Sequence, residues 1–512
     1  MSKSILSRRE LFGLAAAVGA SSPALQAASS DPSNELIYMS AKKLAGLIRA
    51  KKVSAVEATN AYIARQIAVD DKLNAVVMNC FDRALVEARQ LDARAARGEF
   101  VGPLHGVPMT IKDSLDTEGV ITTGATVGRQ QFVPARDATA VARVRKAGAV
   151  LLGKTNTPEF TLGGLGGIST ASNLLYGGSH NPYDLTRSTA GSSGGAGAAV
   201  AAGLAAFDIG SDWGGSIRGP AHNNGIAGIK PTSVRVPRTG HIVDYGGIFD
   251  LWQQLGPMCR RVEDIALITP LISGPDFRDA SCAPAPWLDP AAVDLRKLRV
   301  AFATDNGATG RNATEEDTKK VVRQVATWLQ GNVASVDEDA PTKVLMDLAE
   351  ARRKLSQGDG GAFYQRLADK WGTRNISPLR KRSMETATPL TSAEMVLAWE
   401  QQDECKSRML AWMTNYDVFI CPVNAKPAQP IDAEAGAGGG GAGGGGPDAG
   451  WPYTGVFNCT GWPVTVVRAG SSADGKLPIG VQIVAAPWRE DITLAVAAFV
   501  EARGGGWRKP PV

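Results

Sequence analysis

The feature that most restricts this chain is the repeated alternation of short apolar runs with longer amphipathic ones. Val107, Met109 and Ile111 alternate as a strand that ends at Lys112. Ala138 to Ala147 has a helical pattern, Gly148 suits its C-terminal cap, and Ala149 to Leu152 is then a short buried strand. The strand pattern returns at Arg299 to Ala303, Val418 to Cys421, Val464 to Val467 and Ile479 to Val484. Between and around these runs, helices are predicted over Ala84 to Arg97, Glu315 to Leu329, Ser392 to Met413, and Asp491 to Ala502. Within the second of them, Val321, Val322, Val325 and Trp328 recur at helical spacing. Ser54-Ala55-Val56-Glu57 is a capping box, and it predicts a helix with Val56, Ile63 and Ile67 on one side. Strands alternating with helices imply an α/β fold in which helices cover a largely buried sheet. No internal repeat and no linker divides the 512 residues, so a single large domain is expected.

Composition narrows the function. Hydrophobic residues make up 44% and charged residues 21%, so neither wholesale disorder nor a membrane protein is indicated. The net charge of +5 is too weak for a nucleic-acid surface. Four histidines, His105, His180, His222 and His241, leave little room for metal or histidine-base chemistry. The six cysteines are dispersed without a CxxC pair, as neither a zinc site nor a disulfide framework would be. Residues 1–28 have the order of a twin-arginine export signal: Arg8 and Arg9, an apolar run from Leu11 to Ala20, then small residues at Ala24, Ala27 and Ala28. The run is too short and alanine-rich for a stable membrane span. A periplasmic or secreted location follows as an expectation. The Gly/Ala stretch Gly436 to Gly446 is expected to be a flexible surface loop within a domain covering residues 34–512.

Two motifs mislead. Gly148 to Thr155 fits the phosphate-loop pattern, but its middle residues suit a strand, and Pro158 stops a helix from growing out of Lys154 and Thr155. Gly191-Ser192-Ser193-Gly194-Gly195 fits a nucleophile elbow with Ser193 as nucleophile. A helix is plausible from Ala196 to Leu204, yet the turn-like Asn181-Pro182-Tyr183-Asp184 argues against a strand before it. His222 and His241, the histidines that follow, suit structural roles better than that of a general base.

A third constellation is more specific. Lys112 ends Pro108-Met109-Thr110-Ile111-Lys112, Ser192 lies in Ala190-Gly191-Ser192-Ser193-Gly194-Gly195, and Ser216 lies in Asp212-Trp213-Gly214-Gly215-Ser216-Ile217-Arg218. With Gly228-Ile229-Lys230-Pro231-Thr232, Gly153-Lys154-Thr155-Asn156 and Pro478-Ile479-Gly480-Val481-Gln482, these segments resemble the amidase signature family, which includes fatty acid amide hydrolases, peptide amidases and the A-type subunits of tRNA-dependent amidotransferases. Ala190 stands where many relatives have glycine, and Trp213 where a smaller or aliphatic residue is usual.

The resemblance implies a large mixed sheet covered by helices on both faces, a single catalytic domain and a Ser–cis-Ser–Lys triad that needs no cofactor and no metal. In that scheme Ser216 attacks the carbonyl, Ser192 relays the proton and neutral Lys112 is the base. A serine hydroxyl needs a neighbour to take its proton, and a lysine can do so when burial lowers its pKa. The amides of Trp213, Gly214, Gly215 and Ser216 are candidates for an oxyanion hole. Ser193 is expected to shape the site, and Asp212 and Arg218 to brace the loop. Trp213, Trp252, Trp451 and Trp462 are candidates to line an apolar pocket, although each is as readily a core residue.

The expected function is hydrolysis of small, aryl or amphipathic amides through an acyl-serine, without nucleic acid or stable membrane insertion; a homo-oligomer is left open. The alternative is an amidotransferase A-type subunit that releases ammonia for a tRNA-bound substrate. A non-enzymatic binding protein would not need all three of Lys112, Ser192 and Ser216.

Overall fold

The computed structural model describes residues 32–165, 171–244, 247–431 and 450–512. The predicted leader and the Gly436–Gly446 stretch lie outside the described residues.

An 11-stranded sheet organises the molecule. Its strands are β1 (Val76–Asn79), β2 (Pro108–Lys112), β3 (Val150–Thr155), β4 (Phe207–Asp212), β5 (Ala227–Lys230), β6 (Gln254–Cys259), β7 (Arg299–Phe302), β8 (Ser335–Glu338), β9 (Val418–Pro422), β10 (Val464–Ser471) and β11 (Pro478–Val484). Their spatial order is β1-β3-β2-β4-β6-β5-β10-β11-β9-β7-β8. The sheet is mixed. β2 runs parallel to β3 and to β4, and β7 runs parallel to β8 and β9, while the strands between pair antiparallel. Every residue of β2, β3, β4, β6 and β11 is buried. Because successive side chains point to opposite faces, helices must cover both. Residues 194–201 pack on β2 and β4, 262–272 on β6, and 490–502 on β10.

Local chemistry explains the helix starts. Ser54 caps the helix Ala55–Leu73, and Glu57 reaches back to the Ser54 amide. Thr391 and Glu394 do the same for Ser392–Met413. The predicted apolar side of the first of these helices needs correction: Ile67 is exposed, and the buried face carries Ala58, Tyr62, Ile63 and Val69. Alanines and Tyr62 fill that contact, so the buried face lies to one side of the Val56–Ile67 line. Among the described residues, no helix is long and apolar enough to cross a membrane.

The phosphate-loop-like segment is strand β3, and Lys154 on it is buried against Thr117 Oγ1 at 2.7 Å, Thr122 Oγ1 at 3.1 Å and the Leu115 carbonyl. The elbow-like segment differs from expectation. A strand, Asp184–Ser188, does precede it, but it lies outside the large sheet: it pairs with His180–Asn181 in a separate two-stranded ribbon and forms an isolated bridge from Arg187 to Pro430. The Gly194–Ala201 helix follows directly.

Candidate active site

The site grows out of the parallel pairing of β2 with β4. Ile111 lies opposite Ile209, so the two strands end on the same edge of the sheet. That edge presents Lys112 from β2 and, from β4, Asp212 with the loop that follows it. Ser192 and Ser193 reach the same place from the turn before the Gly194–Ala201 helix, where Gly191–Ser192 is a cis peptide bond. The Ser193 amide donates to the Ser216 carbonyl at 3.1 Å and ties the two serine segments together.

Lys112 Nζ lies 2.6 Å from Ser192 Oγ, 2.9 Å from Ser193 Oγ and 2.9 Å from Ser211 Oγ. Its hydrogen-bond partners among the described residues include no carboxylate. Burial therefore dominates and pulls its pKa down to about 7, against the opposing pull of Asp212 and Asp208. A lysine so placed has a usable lone pair near neutrality. Ser192 is buried and Ser216 half-buried.

The Ser216 loop is braced from inside. Arg218 and Asp212 form a two-pronged pair, with Nε 3.0 Å from Oδ2 and Nη2 3.0 Å from Oδ1, both side chains fully buried. Burial alone would raise the Asp212 carboxyl; the Arg218 guanidinium and the hydrogen bonds from Asn458 and the Ile217 amide hold it well below the usual carboxylate range. Arg218 also donates to the Thr454 carbonyl and to Gln482 Oε1. Thr454 Oγ1 donates to the Gly214 carbonyl at 2.7 Å, and Asn458 to Asp212 Oδ1 at 2.9 Å.

One expected oxyanion donor requires correction. The Gly215 amide donates to Asp212 Oδ1 at 2.8 Å, and the Ile217 amide donates to Oδ2. Gly215 thus serves the loop's shape. Its φ of +123° favours glycine, and a Cβ there would sit 2.4 Å from Thr454 Oγ1. The glycine is required, but for conformation and close approach.

The tryptophans separate. Trp252, Trp451 and Trp462 are fully buried in an aromatic core with Phe419, Tyr453 and Phe457. Trp213 is only half-buried, with its ring 5.3 Å from that of Trp252 and beneath the Arg352 guanidinium.

Sequence reasoning missed Ser211, Thr454 and Asn458, and read His241 only as a structural histidine. On β4 the strand period groups Ser211 with Ile209, the partner of Ile111 and not of Lys112, so it gave no signal for this contact. The others lie far away in the chain, and no local pattern marks them.

The model of the family described as Amidase matches residues 57–494. The chain is 34% identical to the A-type subunit of glutamyl-tRNA(Gln) amidotransferase from Moorella thermoacetica, over 93% of this chain and 99% of that protein. It is 32% identical to fatty-acid amide hydrolase 2 of Homo sapiens, over 93% of this chain and 91% of that one. Among solved structures, native peptide amidase from Stenotrophomonas maltophilia superposes with a TM-score of 0.77 at 27% identity, covering 92% of this chain and 98% of that one. For 6-aminohexanoate cyclic dimer hydrolase in complex with substrate the TM-score is 0.78 at 28% identity, covering 91% and 97%. Since both sequence and fold agree across nearly the whole described chain, the protein belongs to the amidase family and is an enzyme that hydrolyses amide bonds.

Proposed function

We propose that the protein cleaves carboxylic amides through an acyl-Ser216 intermediate, with Ser192 as relay and Lys112 as base. The observation that carries this reading is the 2.6 Å approach of a fully buried Lys112 Nζ to Ser192 Oγ, with no carboxylate among its described hydrogen-bond partners to hold the lysine charged. Lys112 takes the Ser192 proton while Ser192 takes that of Ser216, and Ser216 Oγ attacks the carbonyl carbon. The oxyanion is received by amides of Trp213, Gly214 and Ser216, in a loop whose shape Asp212 and Gly215 hold. Such preorganised donors are each worth about 3 kcal/mol. The proton then returns through Ser192 to the leaving nitrogen, the amine departs, and water, deprotonated along the same path, releases the acid. Ser193 keeps Lys112 in register.

The substrate we propose is a small, aryl or amphipathic amide, lying against the half-buried Trp213. A second reading is favoured by the 34% identity to an amidotransferase A-type subunit over nearly both full lengths: the same triad would release ammonia from an amide donor inside a complex. The purified chain assayed alone against aryl, fatty acyl and peptide amides, and against glutamine, separates the two. Turnover of the first group without partners supports the amidase; hydrolysis of glutamine alone, increased by copurifying proteins, supports the amidotransferase.

We also propose that the enzyme is exported by the twin-arginine route, on the order of features in residues 1–28. Fractionation after replacing Arg8 and Arg9 by lysine should find full-length, active protein retained in the cytoplasm. Unaltered protein found there with Met1 in place would end that reading and favour the amidotransferase.

A further inference from the structure

Among the described residues, one buried arginine has no polar partner. Arg352, on the helix Thr342–Gln357, is 5% exposed. Its Nε is sealed from solvent without a hydrogen bond. Nη1 and Nη2 make no hydrogen bond or ion pair with the described residues either, yet they are not sealed, so they border open space. The other buried arginines all hold oxygen acceptors. Arg129, Arg218, Arg235 and Arg238 pair with carboxylates. Arg260 donates to the Val200, Ala205 and Met39 carbonyls, and Arg468 to that of Gly506.

No group nearby serves as the missing counterion. The carboxylate that acts on Arg352 is Asp212, and both its oxygens are taken. Oδ1 accepts from the Gly215 amide, Asn458 and Arg218, and Oδ2 from the Ile217 amide and Arg218. The Cys459 thiol stays protonated, because burial pushes its pKa up to about 12. What holds the guanidinium is aromatic. It lies 5.1 Å from the Trp213 ring centre and 5.5 Å from that of Trp252. Trp252 is itself fixed, its Nε1 donating to Gln402 Oε1 at 3.0 Å. Ring faces attract a cation but satisfy none of its five N–H donors. A buried charge left in that state is costly until an anion pairs with it. Trp213 is half-buried and stands three residues before Ser216, so the unpaired cation lies beside the loop that carries the nucleophile.

We infer that Arg352 is a specificity-determining residue: with Trp213 it forms an anion subsite beside Ser216, and the amides the enzyme prefers carry a free carboxylate. A carboxylate suits the site because the planar fork of a guanidinium offers parallel N–H donors to its two oxygens. The scissile carbonyl then lies at Ser216, the carboxylate lies on Arg352, and the rest of the substrate crosses Trp213. The inference rests on the amidase reading and names the substrate class of that same site.

The test compares kcat/KM for the mono-p-nitroanilides of succinic, glutaric and adipic acids, each with one free carboxylate, with those for the p-nitroanilides of butanoic, pentanoic and hexanoic acids, which lack it. The parent enzyme should favour the best carboxylate over its uncharged counterpart at least about tenfold, mainly through KM. Arg352→Met keeps a long side chain against the tryptophans and removes the charge. The preference should fall about 100-fold, so that the uncharged anilide becomes the better substrate. Since an unpaired buried charge is lost, the melting temperature should not drop. A parent enzyme without preference, a variant that keeps it, or a variant that melts lower and loses both substrate classes alike would each overturn the role of Arg352. Failure of the amidase reading has a different signature, in which no anilide turns over. The subsite is then read by thermal shift: succinate, glutarate or adipate should raise the melting temperature of the parent protein and not that of Arg352→Met. No shift in the parent, or an equal shift in both, would overturn the inference.

Discussion

Two buried lysines on neighbouring parallel strands make opposite use of the same environment. Lys112 ends β2, and Lys154 sits on β3 opposite Ile111. Both are fully buried, and burial depresses both, to about 7 for Lys112 and about 8 for Lys154. Their partners differ. Around Lys154, Thr117 Oγ1 donates to the Leu115 carbonyl and Thr122 Oγ1 to the Val120 carbonyl, so both hydroxyls have spent their protons and present only acceptors. With the Leu115 carbonyl itself they make three acceptors for three ammonium protons. Lys112 faces three serine hydroxyls, and under the proposed mechanism the nearest, Ser192 Oγ at 2.6 Å, is the one whose proton it takes. Burial lowers a lysine's pKa; the direction of the surrounding protons decides whether it is a base or a clasp.

Substitutions can break that comparison. The largest effect is expected at Lys112→Ala, with amide hydrolysis reduced by at least about 10⁴-fold and the fold retained. Adding Ser192→Ala should cost little more, because members of such a unit do not contribute additively. A double variant far slower than either single one would argue against the relay. Next comes pH. Only neutral Lys112 accepts a proton, so activity should be flat above pH 7 or so and fall about tenfold per unit below it. A profile flat down to pH 5 would contradict a lysine base. Breaking the Asp212–Arg218 pair by Arg218→Met leaves a buried carboxylate uncompensated and should cost about 3–5 kcal/mol of stability in chemical denaturation. The smallest effect on chemistry belongs to Lys154→Met. It should lower stability by about 1–3 kcal/mol through stranded buried acceptors, yet leave the turnover of folded enzyme within about threefold. A loss rivalling that of Lys112→Ala would erase the distinction between the two lysines.

How far these features could be read from the sequence follows from their physics. The apolar runs at β2, β3, β7 and β9 and the capped Ser392–Met413 helix are local patterns, and the structure has them within a residue or three of their expected bounds. The central strands β4, β5 and β6 went unread because residues such as Gly210, Gly228 and Gly256 interrupt the apolar pattern. Those glycines are set by close packing: a Cβ at Gly256 would lie 2.0 Å from the Ile229 carbonyl oxygen. In the site, the meeting of Lys112 with Ser192 and of the Ser192–Ser193 turn with the Ser216 segment was legible from short motifs. The part played by Gly215 was not, since sequence shows that a glycine is there but not that its amide is held by Asp212. Ser211 and His241 are joined only through the fold, 30 residues apart.

The central claim is that Ser216, activated through Ser192 and Lys112, becomes acylated. Its most direct test is mass spectrometry of acid-quenched enzyme during turnover of an activated aryl amide or ester. The account predicts an acyl adduct on the peptide containing Ser216, absent from Ser216→Ala and kinetically competent in the parent enzyme. An adduct on Ser193, or steady turnover by Ser216→Ala with contaminating hydrolases excluded, would contradict it.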